Sequence, residues 1–238
     1  MLARFGPAAW SRQERLAEAS RQSGRLRERH GDDLIAVAVY GETARSGEHP
    51  FSGLEMYCLL RGPCDEWLAA QDATVIDAFS ADRARDLARE VTPDWPVRQG
   101  RFRHAVCIEG AAEIVEELAG LVVSAPPADF DTAGGVLIDE LRRDLAALRN
   151  ARASRRWAPV AGSAVAFTRR AALLAGLVNR WCYATEPCLW EEAGKLARRP
   201  DGFDELLRAV TSGSLRDAEK VVAMVERVWL GVWDGFGG

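Results

Sequence analysis

The chain has 238 residues, of which 48% are hydrophobic and 28% are charged. These proportions are typical of a globular protein, and the length allows one large core or two modest ones. The net charge of −4 provides no positive field for a nucleic-acid backbone, and no stretch approaches the roughly 20 apolar residues of a membrane span. We therefore expect neither nucleic acid nor a membrane as a partner.

The cysteines and the N-terminus bear on location and on metal binding. The five cysteines are scattered without a CxxC pair, so neither a zinc site nor a disulfide framework is indicated. The first residues lack the long apolar stretch of a signal peptide. These features predict a cytoplasmic protein with reduced thiols.

The first part of the chain predicts a small sheet with helices. Ser11–Glu14 forms a capping box, which starts a helix that runs to about Arg29. The apolar run 34–40 and the segment 54–60 predict two strands, and 73–79 predicts a third. A helix follows from Ser80, a good N-cap residue, to residue 89.

The second part of the chain predicts helices alone. The segment Ser124–Asp129 contains two prolines and is the strongest linker candidate. We therefore predict an α+β protein, with a mixed-sheet domain over residues 1–125 and an all-helical bundle over 126–238. Helical spacing without strand signals follows the linker in 136–150, 163–183, 189–197 and 215–233.

A strand that ends at a glycine and a helix start, followed by a strand with an acidic motif, is the pattern of the nucleotidyltransferase superfamily. Around this pattern the chain resembles the kanamycin nucleotidyltransferase and aminoglycoside 4'-O-nucleotidyltransferase family over nearly its whole length. The resemblance implies a nucleotidyltransferase-fold sheet domain, a helical domain and a homodimer with active sites between subunits. The matches include Tyr40-Gly41, Arg45, Ser52, Glu55, Asp94-Trp95-Pro96, Gly100, Arg149-Asn150, Cys182-Tyr183, Ser212-Gly213 and Glu219-Lys220.

The resemblance also implies a catalytic apparatus from which this chain departs. In the family, three carboxylates hold the Mg²⁺ that carries a nucleoside triphosphate, and a glutamate acts as base toward a sugar hydroxyl. Here Glu55 retains one carboxylate, whereas Gly53 and Val75 stand at the other two positions. Glu42 replaces the serine of the phosphate-binding turn, and Arg143, which cannot act as a base, stands at the base position.

Two acidic residues lie close to the replaced positions. Asp77 is two residues from Val75 and on the same face of the predicted strand. Asp144 follows Arg143 and points roughly 100° away from it around the helix. Whether either residue replaces a lost carboxylate stays open from the sequence.

The departures predict a degenerate site with neither metal nor cofactor, because Mg²⁺ needs several oxygen ligands. Without a partner acid, Glu55 is expected to have a raised pKa that suits acid–base chemistry. The other candidate catalytic residues are Glu42 and His104, and alternation places His104 on the same face as Phe102. The candidate substrate-binding residues are Arg45, Asp94, Arg101 and Arg143.

Three functional hypotheses follow. The first is an enzyme of specialised metabolism that performs a metal-independent cyclisation, elimination, isomerisation or hydrolysis on an antibiotic-like molecule, polar or sugar-containing. The second is a divergent aminoglycoside O-nucleotidyltransferase that confers antibiotic resistance. The third is a non-catalytic pseudoenzyme that binds a small molecule. The substrate and the reaction type cannot be predicted from the sequence.

Overall fold

The computed structural model describes residues 8–64, 68–71 and 73–236, which divide into two compact units. The sheet unit contains the described residues up to Glu90 together with Arg98–Ala125. The helical unit contains Val91–Val97 and the described residues from Pro126 onward. The predicted division at residues 125 and 126 is therefore incomplete, because a short earlier segment belongs with the helices.

The segment Val91–Val97 joins the helical unit through buried contacts. The Trp95 side chain is fully buried and meets the ring of Phe130 edge-on, with 4.9 Å between ring centroids. The backbone oxygen of Pro96 accepts a hydrogen bond of 2.6 Å from the N–H of Tyr183. These contacts join residues far apart in the chain, so composition alone could not assign the segment.

The described residues of the sheet unit form a five-stranded mixed sheet in the order β3-β4-β2-β1-β5. β1 is antiparallel to both β2 and β5, β2 is parallel to β4, and β3 is antiparallel to β4. The predictions for β1 and β2 are confirmed, and the third predicted strand is β4. The strands are β1 Leu34–Tyr40, β2 Leu54–Leu60, β3 Leu68–Gln71, β4 Thr74–Ser80 and β5 Val106–Gly110.

Helices flank this sheet. The capping box at Ser11 is confirmed, since its hydroxyl accepts a hydrogen bond from the backbone of Glu14 and the Glu14 carboxylate bonds back to Ser11. As predicted, Ser80 caps α3, since its hydroxyl accepts a hydrogen bond from the backbone N–H of Arg83. The helices of the sheet unit are α1 Arg12–His30, α2 Gly41–Ala44, α3 Ala81–Arg89, α5 Gly100–Arg103 and α6 Ala112–Val122, whereas α4 Trp95–Arg98 lies mostly in the segment that belongs to the helical unit.

The helical unit is built around α8. Its core-facing side chains are nearly all buried, including Phe167, Leu173 and Leu177. Among the described residues, α8 is long and apolar enough to cross a membrane, so the expectation that no such stretch exists was wrong. However, 61% of the apolar stretch of α8 is buried inside the protein. Such burial is typical of a core helix of a soluble protein. The helices are α7 Pro127–Ala153, α8 Val160–Asn179, α9 Leu189–Ala193, α10 Phe203–Thr211 and α11 Ala218–Phe236.

Candidate functional site

The candidate site begins at the turn that follows β1. Gly41 has a φ of +72°, a left-handed backbone conformation that residues other than glycine rarely adopt. It is the first residue of α2, which is a single helical turn. The next residue, Glu42, accepts a short hydrogen bond from the Ser52 hydroxyl. The Ser52 oxygen also accepts a bond of 2.9 Å from the His49 N–H. The acidic side chain therefore ties the turn to the loop before β2.

That loop is held in place by Arg15 of α1, whose side chain is only 1% exposed. Its guanidinium donates hydrogen bonds to the backbone oxygens of His49 at 2.6 Å, Pro50 at 2.9 Å and Ser52 at 3.1 Å. Because these oxygens lie at the entrance to β2, the arginine fixes where that strand begins. The position of Glu55 on β2 depends on this contact.

Gly53 fills a position where space is tight. A Cβ atom added there would lie 3.0 Å from the backbone oxygen of Ala73. That oxygen accepts a hydrogen bond of 2.9 Å from the N–H of Leu54 and is therefore not free to move. An acidic side chain at residue 53 would thus require the backbone to shift.

The strand register places Glu55 on the same face as a set of polar and aromatic residues. Glu55 lies opposite Tyr40 on β1 and opposite Val75 on β4. Two residues further along β2 and β4, Tyr57 lies opposite Asp77. Since side chains two apart point to one face, all five share this face of the sheet.

The Glu55 carboxylate is half-buried and lacks a counter-charge. It makes no hydrogen bond or ion pair with any residue in the parts of the chain that the structure describes. Burial raises its pKa, and the neighbouring carboxylates of Glu42 and Asp77 raise it further. This direction agrees with the sequence prediction and favours the protonated form at higher pH than for an exposed glutamate.

Asp77 is already engaged by its own chain. Its carboxylate accepts a hydrogen bond of 3.1 Å from the Tyr40 hydroxyl and lies 3.7 Å from the Arg101 guanidinium. Both Arg101 and Asp77 have side chains that are 19% exposed. The guanidinium also lies 5.2 Å from the Phe79 ring centroid and 4.9 Å from that of Phe102, which are cation–π distances. A partly buried arginine therefore pairs with Asp77.

Aromatic rings form the wall behind these charges. The rings of Tyr40 and Tyr57 stack with centroids 6.1 Å apart, and Phe102 meets Tyr57 edge-on at 5.7 Å. Burial raises the pKa of both tyrosines, so both hydroxyls stay protonated. The Tyr57 hydroxyl is buried without a hydrogen-bond partner in the described chain. The site thus combines fixed charges with a wall that excludes water.

Comparison with known proteins fits this geometry. The profile of the KNTase C-terminal domain family matches residues 112–234, more than half of the chain. The chain belongs to the kanamycin nucleotidyltransferase-like family. Two curated relatives, both named aminoglycoside nucleotidyltransferase (4') and coming from Staphylococcus aureus and from a Bacillus species, are 28% identical over 232 residues, which is 95% of this chain and 92% of theirs.

A solved structure shows the same fold. A nucleotidyltransferase-like protein from Exiguobacterium sibiricum superimposes with a TM-score of 0.54 at 12% identity, covering 93% of this chain and 77% of that one. The predicted family and the predicted α+β nucleotidyltransferase fold are therefore confirmed.

The residues present do not fit the Mg²⁺ ion that the family uses. Across residues 8–64, 68–71 and 73–236, no group of three or more His, Cys, Asp or Glu side chains is placed to hold a metal. Gly53 is packed against a backbone oxygen, Val75 is apolar, and the Asp77 carboxylate pairs with Arg101. Mg²⁺ would have to compete with that arginine for the acid.

Several predicted site residues of the sheet unit lie together, and others do not. Glu42 and Asp77 both lie near enough to Glu55 to raise its pKa, and Arg101 contacts Asp77. Arg45 is exposed at the end of α2. His104 ends α5, and the predicted alternation with Phe102 is wrong, because residues 100–103 form a helical turn and not a strand.

The remaining candidates belong to the helical unit. Asp94 is exposed and accepts a hydrogen bond of 2.6 Å from the Thr92 hydroxyl. Arg143 is exposed on α7. Neighbouring Asp144 lies 2.8 Å from Arg170, so it takes part in an ion pair between α7 and α8.

Neither tyrosine of this site was among the predicted site residues. Tyr57 lies two residues after Glu55 and Tyr40 directly precedes Gly41, so strand alternation was a usable signal for both. The Arg101–Asp77 contact had no such signal, because it joins a helical turn to a strand 24 residues earlier (101 − 77).

Proposed function

We propose that this protein is an enzyme of specialised metabolism that uses Glu55 for metal-independent acid–base chemistry on an antibiotic-like small molecule. The observation that carries the proposal is the half-buried Glu55 carboxyl, which has two carboxylate neighbours and no counter-charge in the described chain. A general acid or base works best when its pKa is near the operating pH, and a raised pKa moves a glutamic acid in that direction.

The same surroundings support a loss of nucleotidyl transfer. The Glu42 carboxylate lies in the turn where a family member would hold phosphates, and it would repel a triphosphate. Asp77, the acid nearest to Val75, already pairs with Arg101. Phosphoryl chemistry depends on positioned metal ions, and Glu55 is the one family carboxylate position that still carries an acid here.

In the proposed reaction, Glu55 takes a proton from the substrate or gives one to it. The Asp77–Arg101 pair and the rings of Tyr40 and Tyr57 lie on the same side of the sheet and form the partly buried surroundings of the carboxyl. His104 is a candidate for the second proton carrier, while Arg45, Asp94, Arg101 and Arg143 are candidates for binding polar or sugar groups. The reaction is a cyclisation, elimination, isomerisation or hydrolysis in a cytoplasmic homodimer, without a metal or cofactor.

A second candidate function is a divergent aminoglycoside O-nucleotidyltransferase that confers resistance. It is supported by the 28% identity with relatives of that name across 95% of the chain. This function requires Mg²⁺ and a nucleoside triphosphate to bind near Glu55 after Asp77 has left Arg101.

One pair of measurements separates the two functions. Titration calorimetry of the protein with Mg-ATP should show no binding. Mass spectrometry of aminoglycosides incubated with the protein and Mg-ATP should show no nucleotide transfer. Transfer to an aminoglycoside that Glu55→Gln abolishes would refute the proposal and establish the second function.

The acid–base role is tested on a panel of glycosylated antibiotics, analysed by mass spectrometry without added metal. We expect turnover of at least one compound and a fall of about 100-fold or more in Glu55→Gln. The matched control is Glu28→Gln on the exposed side of α1, which should leave turnover unchanged. Turnover that persists in Glu55→Gln would refute the role of Glu55, and a panel without any turnover would favour a pseudoenzyme.

A further inference from the structure

The helical unit contains a cavity of about 610 Å³ that the proposed chemistry does not use. Three helices surround it: the first turns of α7, the last turns of α8 and the end of α11. A cavity of this size is within the range that holds a small organic ligand.

Two arginines line the cavity without a carboxylate partner. The Arg180 guanidinium lies 5.0 Å from the Phe130 ring centroid, and the Arg198 guanidinium lies 5.8 Å from that of Phe236. Within the described chain, neither guanidinium makes an ion pair or a hydrogen bond. The lining contains a single acid, the exposed Asp131, so the cavity has a net positive charge.

The backbone holds both arginines in place through Asn179. The Asn179 side chain donates a hydrogen bond of 2.7 Å to the backbone oxygen of Arg198 and accepts one of 3.1 Å from its N–H. Arg180 follows directly and adopts a left-handed φ of +48°, where glycine or asparagine is usual at the end of a helix. The arginine at this position extends from the end of α8 with its guanidinium over the Phe130 ring of the cavity wall.

The rest of the lining is apolar and open. Ile138, Leu174 and Leu177 supply hydrocarbon walls. The helix α7 contributes Gly135, and a Cβ atom added there would meet nothing within 4 Å. The absence of a side chain at this position enlarges the cavity without being required by packing.

We propose that this cavity binds an amphipathic organic carboxylate, with the acid between Arg180 and Arg198 and the apolar body against Ile138 and Leu174. A guanidinium matches a carboxylate in shape and hydrogen bonding, and its stacking on phenylalanine rings fixes it at little entropic cost. The site is separate from Glu55 and does not depend on the function proposed for that residue.

The test measures binding of naphthoate to the whole protein by titration calorimetry, with naphthamide as the uncharged counterpart. We expect naphthoate to bind, naphthamide to bind about tenfold more weakly or worse, and Arg180→Gly and Arg198→Gln each to weaken naphthoate binding by about tenfold. Gly135→Leu should block the cavity while both arginines remain.

Matched variants exclude general effects on the fold. Arg155→Gly removes another exposed arginine with a positive φ, of 54°, and Arg156→Gln removes an exposed arginine outside the cavity. Gly162→Leu places a leucine on α8 where a Cβ atom also meets nothing. All three should bind naphthoate as the unchanged protein does.

Several results would overturn the proposal. They are the absence of naphthoate binding, equal binding of naphthamide, and binding that survives both arginine substitutions. Inorganic phosphate that competes at the same concentration as naphthoate would also overturn it, since the ligand would then be a simple anion without need of an apolar wall.

Discussion

The sheet unit and the helical unit each contain a partly buried carboxylate, but the two lie in different electrostatic surroundings. Asp144 of the helical unit is raised in pKa by burial, and Arg170, 2.8 Å away, opposes that shift. The pKa of Glu55 in the sheet unit is raised by burial and by two further carboxylates, and no cation in the described chain pairs with Glu55. Burial is common to both, so the missing counter-charge is what distinguishes the candidate catalytic residue.

The arginines of the two units differ in a similar way. Arg170 binds the carboxylates of Glu140 at 2.9 Å and Asp144 at 2.8 Å, so it serves to neutralise charge. Arg15 instead donates hydrogen bonds to backbone oxygens of the loop before β2. One arginine therefore stabilises a helix pair, whereas the other shapes the loop that leads to Glu55.

The largest effect is expected from Arg15→Ala. This change removes a buried side chain and leaves several backbone oxygens without a donor, which should lower the free energy of unfolding by about 3 kcal/mol. Urea denaturation is the measurement, and Arg25→Ala on the exposed side of α1 is the control. If both variants lost the same stability, the loop would not depend on Arg15.

A smaller effect is expected from Arg170→Met in the helical unit. The side chains of Arg170, Glu140 and Asp144 are 31%, 34% and 22% exposed, so solvent screens part of their attraction. Their loss should cost about 1–2 kcal/mol, more than an exposed pair and less than a fully buried one. Arg142→Met, which removes only an exposed pair with Asp139, should cost less than about 0.5 kcal/mol by the same urea measurement. Equal costs would mean that the pairs on Arg170 add nothing.

The smallest effect concerns the stability of the protein as a function of pH. Because the pKa of Glu55 is higher in the folded protein than in the unfolded chain, the folded state binds its proton more tightly. Ionisation of Glu55 therefore costs stability as the pH rises through that pKa, and the cost is absent below the ordinary pKa of a glutamic acid. Glu55→Gln, which cannot ionise, should match the unchanged protein near pH ~4 and exceed it at pH ~8 by up to about 1 kcal/mol.

Urea denaturation across this pH range checks the prediction. Glu28→Gln, at an exposed position, should follow the unchanged protein throughout. Asp77→Asn should lower the pKa of Glu55 by removing one of its like-charged neighbours, which carboxylate NMR can detect. A stability difference that is constant with pH would show that Glu55 is not destabilised by its neighbours.

Much of the fold was predictable because its signals are local. The apolar runs of β1 and β2 gave both strands with their observed ends, and the hydroxyls of Ser11 and Ser80 marked two helix starts. In contrast, β5 was not predicted, since its residues are only partly buried and do not alternate clearly. It became a strand by pairing with β1, more than 60 residues earlier in the chain.

The candidate site shows the same division. The sequence by itself determined the family and the fold of the chain, and its resemblance to that family predicted that Gly53 and Val75 replace acids while Glu55 remains. Only the tertiary structure decided that Asp77 lies near enough to raise the pKa of Glu55 and that it pairs with Arg101. The sequence specifies which residue stands at each position, but the pKa of a carboxyl depends on which charges the fold brings within a few ångströms of it.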